Sequence, residues 1–268
     1  MSIEFARIVA LNKLALLEKT MDFNSIFSTV NWTIESSDPE KPEHRNLIHQ
    51  IGDDKYRAYF KPSNKSPGPI CANEYLTSKL AELLGIPCAR VQLYKLVEGD
   101  TTKDGYISHW VDGSNRWTDD VGRDKLQDIT AFSHLFCFDS WVHHLDRSGQ
   151  NLVHTREGEV YALHLIDNES ALYGTSDNQP EYSADSFDCS ENIRLTNPKS
   201  LVTKDELSNF ATTIQDLDDD DIVNMVSEFR NGAPDFLTAD QAQYIITKLT
   251  RRKSLLVQQI CEWYDKQT

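Results

Sequence analysis

The chain has 268 residues, 39% of them hydrophobic, and 42 acidic against 27 basic residues give a formal net charge of −15. That length can bury a sizeable core as one large domain or two packed lobes, which excludes disorder as the main state. No run approaches the roughly 18 apolar residues of a membrane span, and a pI near 4.9 argues against nucleic acid or an anionic membrane as the main ligand.

The opening residues, MSIEFARIVALNKLALLEKT, lack a basic-then-apolar leader because Glu4, Arg7 and Lys13 interrupt them. Cys71, Cys88, Cys137, Cys189 and Cys261 are far apart and form no CxxC. They read as reduced, mostly interior thiols of a cytoplasmic protein, without a disulfide framework or zinc ribbon.

In chain order, residues 25–35, 46–50 and 56–61 carry extended, β-branched or aromatic runs and are expected as strands. Residues 62–69 are loop material rich in Pro and Gly. A helix is expected over 72–84, with Leu76, Leu80, Leu83 and Leu84 as its apolar stripe and Gly85 as a left-handed stop. Glu74 lies about 160° around that helix from Leu76, off the stripe. Two further strands are expected over 89–97 and 105–111, then a linker near 111–115.

A long helix is expected over 125–144, with Ile129, Phe132, Leu135, Phe136 and Trp141 buried, followed by short strands at 152–153 and 160–166. Residues 173–200 are polar and irregular and read as a surface loop. Beyond it, Thr203 and Thr238 open capping boxes. The four carboxylates of 218–221 suit a solvated first helical turn better than a calcium loop. The fold class is therefore α+β and bilobal: a small β-rich lobe with one helix over 1–111, and a larger, mainly helical lobe over 112–268.

The chemistry-bearing residues fall near the junction of these parts. Asp146-x-x-x-x-Asn151 follows the long helix, and Asp167 directly ends an apolar strand. Earlier, Lys61 ends a strand and Glu74 sits on the next helix. Phosphoryl transfer needs such a set: a lysine for phosphate charge, an Asp to accept the hydroxyl proton, and hard oxygen donors for Mg²⁺.

These residues, with the segments Tyr59-Phe60-Lys61-Pro62, GPICANEYLTSKLAELL (68–84), 138–151 and LIDNESAL (165–172), resemble the HipA-like kinases, in their compact form. The likeness covers most of 55–175. The Asp146-Arg147-x-x-x-Asn151 segment is also similar to the catalytic loop of phosphoinositide kinases. The resemblance implies an ATP- and Mg²⁺-dependent kinase acting on a Ser or Thr hydroxyl, including its own. By it, Lys61 meets the ATP phosphates and Glu74 holds Lys61; Asp146 is the base; Asn151 and Asp167 bind Mg²⁺. Gly68 belongs to the loop over the phosphates, and His109, Trp110 and Val111 form the hinge that meets adenine. Ser176, Ser183, Ser186 and Ser190 are candidate self-phosphorylation sites, and an antitoxin-like protein is the implied partner.

Two features depart from the family pattern. No GxGxxG is present, and Asp167-Asn168-Glu169 has no glycine after the Asp. They keep open a nucleotide-binding pseudokinase, and a lipid or small-molecule acceptor remains a further alternative. A metal hydrolase built on His134, His143, His144, His154 and His164 fits poorly, because no HExxH or HxxxH spacing exists. His144 is better suited to orienting the Asp146 loop. Trp110, Trp117 and Trp141 suggest an aromatic wall, although Trp141 suits the core.

Overall fold

The computed structural model describes residues 25–51, 53–63, 69–118, 122–174 and 198–266. They divide into two compact units. One holds the residues up to Pro62 together with Arg90–His109; the other holds Ser63–Ala89 and everything from Trp110 onward.

The first unit is a five-stranded antiparallel sheet, built from β1 (Thr33–Ser37), β2 (Arg45–Ile51), β3 (Asp54–Pro62), β4 (Val91–Glu98) and β5 (Thr101–His109). Their order is β1-β2-β3-β5-β4. β3 shows why the segment is a strand: Tyr56, Ala58 and Phe60 alternate inward while Lys55 and Arg57 face solvent. Those three pack with Val30, Trp32, Leu47, Leu96 and Ile107 as the apolar core.

The strand expected over 25–35 is broken. Phe27 bridges Leu93 on β4, whereas β1 begins only at Thr33 and pairs with β2. These are opposite edges of the sheet. The residues between must cross one face, and Val30 and Trp32 are buried in doing so.

Among the described residues the second unit contains α1 (Ile70–Leu83), a small sheet of β6 (Asn115–Arg116), β7 (Leu152–Glu157) and β8 (Val160–Leu165), and four more α-helices. These are α2 (Ala131–Val142), α3 (Lys204–Gln215), α4 (Asp219–Gly232) and α5 (Ala239–Lys266). The sequence suggested a single division at 111, with the first helix on the β side. In the structure α1 groups with the helices instead. Its exit is stitched to β8 through Ala89 N–Leu165 O (2.9 Å) and Leu165 N–Pro87 O (2.9 Å). Its Tyr75 ring also lies 5.0 Å from that of Phe229 on α4.

Local signals set the helix ends. Gly85 has φ +68°, and Ile86 N donates to Ala81 O at 2.8 Å, the six-to-one bond of a Schellman stop. Thr203 and Glu206 form the expected capping box, and Thr238 and Gln241 exchange both bonds of another. Asp218 caps α4 by accepting from Asp220 N. The helix expected from 125 begins only at 131. Residues 123–125 form a 3-10 turn, and Asp128 takes the Thr130 N–H and hydroxyl in a local turn that competes with the helix. Ile129 is consequently exposed. No described helix is long and apolar enough to cross a membrane.

Candidate active site

α2 ends with His143 in the left-handed region at φ 56°, and His144 N donates to Asp139 O at 2.9 Å. This tight stop releases the chain into the loop that carries Asp146, Arg147 and Asn151. A second segment runs from Ile166 to Leu172, and the two are bonded along their length. Ile166 N donates to Asn151 O (3.2 Å), Leu145 N to Ser170 O (3.3 Å) and Leu172 N to Val142 O (2.8 Å).

His144 bonds to the Asp146 loop, the contact that the sequence suggested, and also to Asp167, which it did not. Its Nδ1 accepts from Asp146 N (3.2 Å), so the proton sits on Nε2 and is donated to Asp167 O (3.1 Å). Burial, with the nearby Arg147 guanidinium, holds His144 well below the usual imidazole range. It is neutral at physiological pH, as that bonding pattern requires. Asp146 is exposed. Asn151 spends its amide Nδ2 on Asp146 O (2.6 Å), so Oδ1 is the end of that side chain able to meet a cation.

A carboxylate oxygen from each of Glu74, Asp167 and Glu169 lies within 4.8 Å of the others. Three hard anionic donors that close suit Mg²⁺, and neutralising their charges against one another is what a divalent ion does. Glu74 lies off the leucine stripe of its helix, yet it is only 1% exposed. Every residue of α1 from Cys71 through Ser78 is buried, the polar ones included. Asn73 illustrates how: its amide donates to Glu169 O (2.8 Å) and Gly174 O (3.1 Å), fastening α1 to the acidic segment.

In the sheet unit Lys61 is buried at the end of β3, its Nζ 5.7 Å from the Tyr106 ring centroid. A Cβ on the neighbouring Gly105 would meet Lys61 O at 2.2 Å and the Phe60 ring at 2.8 Å. Only glycine permits β5 to approach the Lys61 backbone so closely. His109 ends β5, with its Nε2 3.3 Å from Gln92 Oε1 and its ring 5.5 Å from Trp32. Burial and the Arg90 guanidinium push its imidazole down to about 3. Trp110 is 51% exposed, and Val111 follows it as irregular chain. Gly68 and the four candidate serines lie outside the described residues.

The remaining expectations divide. Trp141 is core: its indole N–H donates to Leu249 O, and Trp117 is also buried. His154 and His164 sit on the paired strands β7 and β8, and among the described residues no histidine joins a metal-binding group. Sequence reasoning gave no role to Asp139 or to the side chain of Asn168. A single carboxylate inside the apolar run LFCFDSWV was the available signal for the first, since a lone buried acid demands a cation.

No family model matches this sequence, and no curated protein matches it. Among solved structures, the Helicobacter pylori proinflammatory kinase CtkA is similar at a TM-score of 0.57 and 11% identity, over 90% of this chain and 98% of CtkA. The toxin HipA of Shewanella oneidensis, solved with HipB and operator DNA, gives 0.41 at 13% identity, over 88% and 69%. The Drosophila melanogaster PAN3 pseudokinase gives 0.28 at 8%, over 90% and 68%. Neither of these two scores bears on the assignment. The CtkA likeness does, and it shows that this chain has the α+β kinase fold that the HipA-like resemblance implies.

Proposed function

We propose that this chain is an ATP- and Mg²⁺-dependent kinase that transfers the γ-phosphoryl group to a Ser or Thr hydroxyl of a protein, its own included. The observation that carries this reading is the bonding of the Asp146–Asn151 loop to the Asp167 segment, with Glu74 and Glu169 in the same carboxylate group. Asp167, Asn151 and the two glutamates supply the oxygen donors for Mg²⁺, which when bound offsets phosphate charge. Asp146 aligns the acceptor hydroxyl and takes its proton as the new O–P bond forms and the bond to ADP breaks. Lys61 is assigned to the phosphates and His109 to Val111 to the adenine side, on the family resemblance. An antitoxin-like protein partner belongs to the proposal on the same ground.

A second reading is a pseudokinase that binds nucleotide without transfer, and the triplet Asp167-Asn168-Glu169 is what favours it. Transfer of label from γ-labelled ATP separates the two. An active kinase should lose about 10²-fold or more of its rate on Asp146→Asn while retaining nucleotide-induced thermal stabilisation. Stabilisation without transfer in the wild type would select the pseudokinase.

A further inference from the structure

One guanidinium in the helical unit spends all five of its N–H groups. Arg147 is fully buried and forks onto Asp139 of α2, with Nε–Oδ2 at 2.9 Å and Nη2–Oδ1 at 3.1 Å. Its Nη1 donates to Asn151 O (3.0 Å) and Ile166 O (2.9 Å). Its Nη2 also donates to the side-chain oxygen of Asn168 (2.8 Å). Asn168 is itself buried, and its amide reaches Cys88 Sγ at 3.6 Å.

The partners fall in a telling pattern. Ile166 and Asn168 flank Asp167, and the carbonyl held on the other loop belongs to Asn151. Asp167 meanwhile stands in the left-handed region at φ 56°, a conformation that is strained for a non-glycine residue. Something must hold that backbone from both sides, and a planar five-donor fork anchored to a helix does so.

We propose that Arg147 and Asn168 are positioning residues that fix Asn151 and Asp167 relative to one another and so set the affinity of the site for its divalent ion. The proposal deepens the kinase reading and rests on it. In this chain the residue after Asp167 is not a free joint. Its side chain is tied to the loop that carries Asp146, so the acidic segment and the catalytic loop keep one geometry. Partners in the outer shell of a metal site are known to tune affinity by about 10–100-fold.

The test is Mn²⁺ binding to the full chain with a non-hydrolysable ATP analogue, followed by electron paramagnetic resonance, beside thermal melting. Asn168→Ala should weaken Mn²⁺ binding about tenfold or more while melting within a few degrees of wild type. Arg147→Lys keeps a cation against Asp139 but loses the fork, and should weaken binding at least as much. It also stands in should Asn168→Ala fail to fold. Wild-type affinity in a folded Asn168→Ala or Arg147→Lys variant would overturn the positioning role and leave the kinase reading intact. Absence of Mn²⁺ binding in the wild type, with Asp167→Asn as the blank, would overturn both.

Discussion

The two units bury different things. The core of the sheet unit is mainly apolar: Leu47, Phe60 and Ile107 are wholly enclosed, Tyr56 and Trp32 close it, and among its described residues only Lys61 and Gln92 are buried polar side chains. The helical unit has apolar layers too, but through them run Glu74, Asn73, Asp139, His144, Arg147, Asn168, Lys248 and Arg252, all buried. Apolar contacts are non-directional and tolerate repacking, whereas a buried charge is stable only with its partners in place. The sheet unit is thus held by area. The site-bearing part of the other is held by directed bonds, which fix positions at a cost in stability.

The largest effects should come from breaking each unit in its own way. Phe60→Ala removes a wholly buried ring and should cost about 3–5 kcal/mol. Asp139→Ala leaves the Arg147 guanidinium buried without its carboxylate and should cost about as much, roughly 3–5 kcal/mol. Urea unfolding measures both. The contrast lies in function: at temperatures where both remain folded, Asp139→Ala should also lose Mn²⁺ affinity and Phe60→Ala should not. Equal metal binding in the two would remove the distinction.

Gly105→Ala should come next, at about 1–3 kcal/mol, because its Cβ has no room beside the Lys61 carbonyl. Acid should act on the sheet unit through His109. Protonating that ring costs more in the folded chain than in the unfolded one, where its value is ordinary. The stability it secures is therefore complete above about pH 6.5 and is lost as pH falls toward about 3. His109→Gln should flatten the slope of melting temperature against pH in that window. Removing a cap is smaller: Thr203→Ala should cost about 1 kcal/mol. Smallest is Lys204→Ala, whose ion pair with Asp265 is exposed on both sides, within about 0.5 kcal/mol of neutral.

The same contrast explains what the sequence disclosed. Signals confined to a few neighbours were legible: the alternation of 54–62, the Gly85 stop, the capping boxes at Thr203 and Thr238, and the pairing of Asp146 with Asn151 five residues on. Long-range bonds were not. Glu74 falls off the leucine stripe of α1, yet it is only 1% exposed, and its neighbour Asn73, a polar residue on that stripe, bonds Glu169 O from 96 residues away. The stripe rule describes a helix with one apolar neighbour, and α1 is covered on all sides over its first two turns. The helix expected from 125 failed for a local reason, the Asp128 turn, which apolar periodicity does not register. Asp139 was visible only as an oddity within an apolar helix, and Arg147, named as part of the Asp146 motif, gave no sign that the two are partners.

The central claim is that the Asp146 and Asp167 loops form a working phosphotransfer site, and intact mass tests it most directly. Purified protein, incubated with ATP and Mg²⁺, should gain whole phosphate increments that are absent in Asp146→Asn and in Asp167→Asn. An unchanged mass in all three, with an added Ser- and Thr-bearing protein acceptor also unmodified, would contradict it.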